Sequence, residues 1–501
     1  MAETKLQRAE ETVDVIVGFN WFGASASEGA IREFSGANGT TPLGPKTPQP
    51  TLNGLTSDPI AFYFPVVGGV RVLVIEREFD FAAQQSLPAY ITVYNPQLSW
   101  TTPVVARQQY QYYDGTPVTN IYTAPATFSL VSTTLYGADY VDGKVFGFVY
   151  ETIAGTTTEQ LVTDRIPYYT IQPTQIETDP NFLPIQVYTS GTIIHQLPGQ
   201  VPVVYAVAQQ YSLRNVPSPS DNPENYKYYE SILRRFSIGP AGELIDDYVP
   251  VAIAPNVFDI QLYDDRYLFV TCLGGPQWYG DPEDPDTTKW NEASRIQRIP
   301  VTNIANVENV FRPANSGEPF ETNDMFDIRA LVFMRSHAYI LTGSYDSTFA
   351  YNGRLWQVDE TFLISAQLPD PLNGTLISTA GPGGVAVPVE TIEGVFGYFW
   401  ALLPAEYVNK VWGIFGTTLA LYDARGASGT PLTVDAATGG WHAGTGAAFN
   451  SMSVVLAPSG VAQAAGVYHS VHRAHGFVHP VLAKGHPTEV AEFMKAHSSK
   501  K

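Results

Sequence analysis

Cysteine is almost absent from this sequence of 501 residues. Cys272 is the single cysteine, so the chain can form no internal disulfide and no zinc site built from several of its own thiolates. Because Cys272 stands in an apolar, strand-like run, we expect it to be a small buried core residue. Packing and hydrogen bonding must therefore hold the fold together.

Charge is scarce as well, and basic charge is the scarcer sign. Charged residues make up 15% of the chain, and 28 Lys and Arg stand against 48 Asp and Glu, for a net charge of -20. Binding to phosphates needs clustered cations, so we expect no specific nucleic-acid recognition and no attraction to an anionic membrane. An acidic surface is typical of a soluble particle, or of a channel lining that repels DNA phosphates and lets DNA pass without binding.

Long apolar runs are missing too. The longest, Gly394–Leu403, is too short to span a bilayer, and the charged start Met1–Glu11 has no hydrophobic segment of the secretory kind. We therefore expect no membrane insertion, and a protein made in the cytoplasm that ends in a virion or on a particle surface.

What the sequence does contain is a short hydrophobic stretch that recurs along the chain. Its copies are roughly 55–75 residues apart, a spacing that indicates a repeat architecture. The eight copies are Val13–Gly18, Val72–Ile75, Val145–Tyr150, Val203–Ala208, Tyr267–Cys272, Ala338–Gly343, Val411–Gly416 and Gly466–His469.

Each unit around such a copy contains three or four strand signals separated by turns. In the clearest unit, Val203–Ala208 is followed by strands predicted at Ser231–Phe236 and Tyr248–Ile253, with a turn at Gly239–Gly242. In the next unit, Asp264 and Asp265 separate two apolar runs, a pattern typical of a hairpin.

These units predict an all-β protein, a β-propeller of seven or eight blades with long loops and short terminal helical arms. The boundaries we expect are an N-terminal arm over residues 1–11, the propeller over residues 12–483 and a C-terminal helical tail over residues 484–501. Tandem β-sandwiches are the alternative, although they would need units nearer to about 100 residues.

Histidine is concentrated near the end of the chain, where it could bind a metal. If this segment were helical, the steps of three and four residues would place His472, His475 and His479 on one face. No His-Glu-x-x-His or Gly-x-Ser-x-Gly motif is present. The alternative is a histidine-rich surface whose positive charge rises below about pH 6.5. We expect no other cofactor.

Three further patterns have ordinary structural explanations. The acidic loop Asp281–Asp286 could bind a hard cation but fits a solvated loop better. The Gly-rich segments lack the Lys-Ser/Thr of a phosphate loop and are interpreted as turns. Tyrosine clusters can grip a partner or a sugar, but strand packing is their commoner role; they lie at Tyr110–Tyr113, Tyr168–Tyr169 and Tyr226–Tyr229.

Three functional hypotheses follow. The first is a non-enzymatic structural or binding propeller that assembles with itself or with other proteins, for example a virion or phage-tail component such as the propeller-type nozzle subunits of short-tailed phages. The second is a metal-dependent hydrolase, lyase or lactonase with its site on the propeller axis. The third is a carbohydrate- or surface-binding module. All three depend on architecture and composition rather than on a catalytic motif.

Overall fold

The computed structural model describes strands between residues 13 and 472 and, within residues 61–364, many of their side chains. The described residues are 13–22, 27–36, 44–45, 60–66, 69–76, 79–80, 85–86, 88–95, 104–118, 125–131, 133–139, 143–197, 199–215, 226–274, 294–311, 328, 330–334, 337–345, 351–364, 385–388, 400–405, 410–415, 418–423, 433–434, 440–442, 447–454 and 470–472. The expected arm at residues 1–11 and tail at residues 484–501 lie outside them.

The described residues form strands almost throughout. The strands of the first half are β1 (Val13–Phe22), β2 (Ser27–Gly36), β3 (Gly44–Pro45), β4 (Ile60–Val66), β5 (Gly69–Glu76), β6 (Phe79–Asp80), β7 (Gln85–Ser86), β8 (Tyr90–Tyr94), β9 (Val104–Gln109), β10 (Pro125–Val131), β11 (Thr134–Asp139), β12 (Lys144–Thr152), β13 (Glu159–Thr170), β14 (Gln186–His195), β15 (Val203–Leu213), β16 (Tyr226–Ile238), β17 (Leu244–Ile245) and β18 (Val251–Ile253).

The second half continues in the same way. Its strands are β19 (Val257–Tyr263), β20 (Tyr267–Cys272), β21 (Arg295–Pro300), β22 (Glu308–Phe311), β23 (Ala330–Met334), β24 (His337–Tyr345), β25 (Tyr351–Asp359), β26 (Val385–Pro388), β27 (Trp400–Ala405), β28 (Lys410–Phe415), β29 (Thr418–Asp423), β30 (Thr433–Val434), β31 (Gly440–His442), β32 (Ala447–Val454) and β33 (Ser470–His472). The helix α1 (Thr361–Ile364) follows β25. No helix among the described residues has the length and apolar character to cross a membrane.

Apart from the small β6–β7 pair, the described strands form seven antiparallel sheets of four or five strands. The first strand of one sheet lies beside the first strand of the next for most of the circuit, so the sheets are the blades of a β-propeller. We number them in chain order: blade 2 holds β4, β5, β8 and β9; blade 3, β10–β13; blade 4, β14–β18; blade 5, β19–β22; blade 6, β23–β26; and blade 7, β27–β31.

Blade 1 is built from both ends of the described chain. Its order is β3-β2-β1-β32-β33, so β1 pairs with β32 across the ring closure. Because β32 lies beside β27 of blade 7 and β4 of blade 2, it takes the innermost position that the first strands hold elsewhere. Pairing of β1 with β32 thus closes the circle without a covalent link.

The recurring hydrophobic stretch marks the blades because it lies on a central strand of each sheet, in most blades the one beside the innermost strand. Seven of its eight copies fall on β1, β5, β12, β15, β20, β24 and β28, with Gly416 just beyond the end of β28. A strand paired on both sides and covered by neighbouring blades needs apolar residues on both faces, and β15 is buried along its whole length. The eighth copy, Gly466–His469, lies outside the described residues.

Local predictions in blades 4 and 5 are mostly confirmed. Asp264 and Asp265 have φ of 48° and 51°, so both adopt the left-handed conformation in the three-residue loop, residues 264–266, that joins β19 and β20 in a hairpin. Gly242 has φ of 87° and approaches the Tyr136 hydroxyl, so only glycine suits that turn. The strand predicted at Tyr248–Ile253 is shorter than expected, because only Val251–Ile253 pairs with β16.

The hydrophobic cores lie between blades rather than within them. One cluster joins Phe62 and Leu73 of blade 2 to Phe146 and Phe148 of blade 3. Further clusters join blade 3 to blade 4, blade 4 to blade 5, and blade 5 to blade 6. Burial of apolar area between adjacent sheets is therefore what holds the described blades in their circle.

Blade 4 also grips the backbone of blade 5 through hydrogen bonds at Val257. The Ser190 Oγ and the Gln209 Nε2 donate to the Val257 carbonyl at 2.7 and 2.9 Å, and the Val257 N–H donates to the Ser231 Oγ at 3.0 Å. All three side chains are buried. Loss of any one leaves a buried group with fewer partners.

We expect Ser231→Ala to destabilise the protein by about 1–3 kcal/mol, because it leaves the buried Val257 N–H without an acceptor. Ser190→Ala should cost less, since the carbonyl keeps the bond from Gln209. Thermal unfolding midpoints and hydrogen exchange at the Val257 amide measure both effects. The matched control is Ser237→Ala, whose hydroxyl bonds Asp247 at the half-buried outer part of β16; equal losses at Ser231 and Ser237 would contradict the prediction.

Candidate functional site

Tyrosine hydroxyls join neighbouring blades at several places in the described region. The Tyr110 hydroxyl after β9 donates to the Asp139 Oδ1 of blade 3 at 2.5 Å, and Tyr136 of blade 3 donates to the Gly242 carbonyl of blade 4 at 2.7 Å. Tyr263 of blade 5 donates to the Glu360 Oε2 after β25 at 2.8 Å. Each bond places an aromatic ring in the apolar contact between blades and its polar tip on an acceptor.

The joint between blades 2 and 3 adds a charge pair. Arg71 of β5 donates through Nε to the Glu159 Oε2 at 2.8 Å, and the Tyr150 hydroxyl donates to the same carboxylate. The hydrogen bonds from Arg71 and Tyr150 stabilise the ionised carboxylate, so the pKa of Glu159 lies below its ordinary value. Burial raises the pKa of the Tyr150 phenol, which therefore stays a donor.

A similar joint between blades 3 and 4 holds a loop at the outer edge of the propeller. Tyr169 of β13 donates to the Asp246 Oδ2 at 2.7 Å, and Arg234 of β16 donates to the same oxygen at 2.9 Å. Burial and the nearby Asp246 raise the pKa of Tyr169. The loop held in this way runs over Asp246–Pro250, between β17 and β18, and we call it the edge loop.

Apolar side chains are exposed on and beside the edge loop. Val249 is 79% exposed. Ile245 and Tyr248 are more than 40% exposed. We call these three residues the edge patch. Arg235 covers the Tyr248 ring at 4.5 Å from its centroid, so a cation–π contact fixes the orientation of that aromatic side chain.

The sequence explains why the chain leaves the sheet at this point. β17 pairs with β16 over Ser237–Ile238 only, and β18 pairs with it over Ser231–Leu233 only. Pro250 lacks an N–H, so it cannot donate to a strand ladder. The result is an interrupted outer edge on blade 4 that displays apolar side chains on either side of two adjacent carboxylates, Asp246 and Asp247.

His195 is a buried group that sequence reasoning missed. It ends β14, is 9% exposed, and its Nε2 has no hydrogen-bond partner in the structure. The nearest carboxylate oxygen is the Oδ1 of Asp265 in the blade 5 hairpin, at 3.9 Å. A single imidazole beside one carboxylate is too few ligands for a metal site.

Of the three predicted metal ligands, His472 alone lies among the described residues. His472 is the last residue of β33, where it pairs with Ser451 of β32, so it lies on a strand rather than on a helix. His475 and His479 lie outside the described residues, as does the acidic loop Asp281–Asp286. Within the described part of the chain, no group of three or more His, Cys, Asp and Glu residues is placed to hold a metal ion.

The tyrosine clusters serve packing, with exposed exceptions. Tyr110 and Tyr112 are buried and Tyr113 is 43% exposed, while Tyr169 packs on Phe236 with ring centroids 5.0 Å apart. Tyr229 donates to Glu177, whose pKa falls to about 2 with Lys227 also beside it. Cys272 is fully buried on β20, as expected, and burial raises the pKa of its thiol.

Comparison with known proteins gives only distant structural resemblances. No family model and no curated protein matches the sequence. The structure is similar to a periplasmic gluconolactonase of Pseudomonas aeruginosa, with 13% identity, a TM-score of 0.47, and coverage of 89% of this chain and 100% of that one.

Two weaker resemblances involve larger proteins. A prolyl endopeptidase structure shares 10% identity at a TM-score of 0.31, covering 84% of this chain and 50% of that one. A Trypanosoma rangeli sialidase shares 8% at a TM-score of 0.28, covering 76% of this chain and 55% of that one. Similarity at these levels says nothing of what this chain binds or catalyses.

The joint at Glu159 predicts a pH dependence. Because the folded pKa of Glu159 is lowered, its stabilisation is present above the ordinary value of 4.5 and is lost as the pH falls through the folded value. We expect Glu159→Gln to lower stability by about 1–2 kcal/mol at pH 7, and the gap from wild type to shrink below pH 4.5. Thermal midpoints between pH 7 and pH 3 measure it; a gap that stays constant would contradict this assignment.

Tyr169→Phe tests the anchor of the edge loop. The ring still packs on Phe236, but Asp246 loses one of its two donors, so hydrogen exchange in the edge loop should rise by up to about tenfold. Tyr168→Phe is the matched control, since the Tyr168 hydroxyl bonds Asp114 of blade 2 instead. Faster exchange in both variants would indicate general loosening rather than a specific anchor.

Proposed function

We propose that this protein is a non-enzymatic scaffold propeller that assembles with further copies of itself through the outer edge of blade 4. The observation that carries the proposal is the edge patch, three exposed apolar side chains on one held loop and at the end of the strand that precedes it. Exposed apolar side chains grouped together are typical of protein–protein contact sites.

The construction of the edge patch supports a binding role. Tyr248 is oriented by Arg235, and Asp246 is fixed by Tyr169 and Arg234, so little side-chain entropy is lost when a partner docks. Exposed tyrosine beside valine and isoleucine gives a large apolar contact with a polar rim. The interrupted edge also prevents an unlimited strand ladder, which favours a defined contact over aggregation.

We further propose that the assembly formed by these copies belongs to a virion or a phage tail. A virion or phage-tail component fits the low charge content and the net charge of -20, because an acidic wall does not hold DNA. The enzyme alternative, with a metal held near the axis, predicts stoichiometric metal in untagged protein. The carbohydrate alternative predicts a response on a broad glycan array.

Sedimentation velocity tests assembly directly. We expect the wild-type protein to sediment as a ring or larger species, and the double variant Tyr248→Ser with Val249→Ser to sediment as a single chain. Since each copy carries a net charge of -20, salt should strengthen wild-type assembly by screening repulsion, with a Debye length that falls from about 10 Å at 0.1 M to about 3 Å at 1 M.

The matched control is Ile176→Ser. Ile176 is 86% exposed in the connection between β13 and β14, outside the edge patch, so its loss should leave assembly unchanged. A wild-type protein that stays a single chain at all concentrations and salts would overturn the proposal. Assembly that weakens as salt rises would instead indicate a partner of opposite charge.

A further inference from the structure

The strand β33 has a position that no other strand shares among the described residues. It pairs with β32 through Ser470, Val471 and His472, which oppose Ser453, Met452 and Ser451. The other edge of β32 is taken by β1. In blades 2 to 7 the innermost described strand is the first strand of its sheet, and no described strand pairs with its inner edge. In blade 1 the strand β33 pairs with the inner edge of the innermost strand, β32.

The neighbours of β33 place it in the axial channel. Its Cα atoms come within 8 Å of those of β4, β10 and β27, which belong to blades 2, 3 and 7. All three are the innermost strands of their blades. A segment that pairs with blade 1 and also approaches the inner strands of three other blades can only lie within the space that those strands surround.

We propose that β33 is a plug: residues Ser470–His472 occupy the axial channel of the propeller and close it. A ligand, or a partner that needs the channel, must therefore displace a segment of the protein's own chain. This inference does not depend on the edge patch or on assembly, because it concerns the interior of one propeller.

A short strand ladder holds the plug to β32, so we expect that the plug can be displaced. Three residue pairs join β33 to β32, whereas β1 and β2 are joined by ten. Short pairings open at low free-energy cost compared with long buried ones. An extended peptide could take the vacated inner edge of β32 by strand addition, which uses main-chain hydrogen bonds and tolerates varied side chains.

Cysteine labelling tests the plug without disturbing the rest of the chain. The single native thiol, Cys272, is fully buried, so wild-type protein serves as the unreactive blank. We expect Val471→Cys to react with a maleimide carrying a large polyethylene glycol chain at least about tenfold more slowly than Ile176→Cys. The two should react equally fast in denaturant.

A second pair of substitutions tests the register. Met452 and Val471 are directly opposed, so Met452→Cys with Val471→Cys should form a disulfide on mild oxidation. The locked protein should show slower hydrogen exchange in β4 and β10 than the reduced one, because the plug can no longer leave. If Val471→Cys does not fold, Ser453→Cys with Ser470→Cys, the adjacent opposed pair, replaces it.

Labelling is repeated on the variant with Tyr248→Ser and Val249→Ser, so that protection by assembly is distinguished from protection by the channel. Slow labelling in both backgrounds supports the plug whatever the state of assembly. Native Val471→Cys that labels as fast as Ile176→Cys, or a cysteine pair at 452 and 471 that does not oxidise, would overturn the inference.

Discussion

Side-chain hydrogen bonds between blades are the constraint on which the described structure depends. Within the described residues adjacent blades share no strand ladder, and the single cysteine of the chain cannot form a disulfide between them. Apolar clusters provide the attraction, but burial of apolar area has no direction and would allow sheets to slide. Bonds such as those from the Tyr136 hydroxyl to the Gly242 carbonyl and from the Val257 N–H to the Ser231 Oγ have direction, so they fix the angle at which one blade meets the next.

Tyrosine suits these joints because one side chain does two tasks. Its ring adds to the apolar contact, and its hydroxyl reaches the neighbouring blade at the far side of that contact. Two ion pairs follow the same plan. Arg71 and Arg234 donate to carboxylates that also accept from a tyrosine, so at these two joints the charge pair is combined with a phenol. The composition, with 15% charged residues and 29 tyrosines, is consistent with this use of tyrosine at the joints between blades.

The blades could be predicted from the sequence, and their joints could not. The central strands of the blades are apolar on both faces, as β15 is, so stretches such as Val203–Ala208 stand out in the sequence. The spacing of these stretches predicts seven or eight units, and the described strands form seven sheets of four or five strands. The edge loop escaped prediction because the apolar run Tyr248–Ile253 is typical of a strand, and its exposure depends on Arg234 and Arg235. Contacts such as Arg71 to Glu159 join residues 88 positions apart, a distance at which local patterns carry no signal.

The closure of blade 1 has a consequence for how the polypeptide acquires its shape. β1 and β2 can form a hairpin as soon as they are synthesised, but the strand that completes their sheet comes about 400 residues later. Until then one flank of β1 is a bare template, open to any extended neighbour. The long delay makes the opening hairpin the part of the nascent chain that most needs protection from mispairing, and it makes the final strands the step that commits the whole ring.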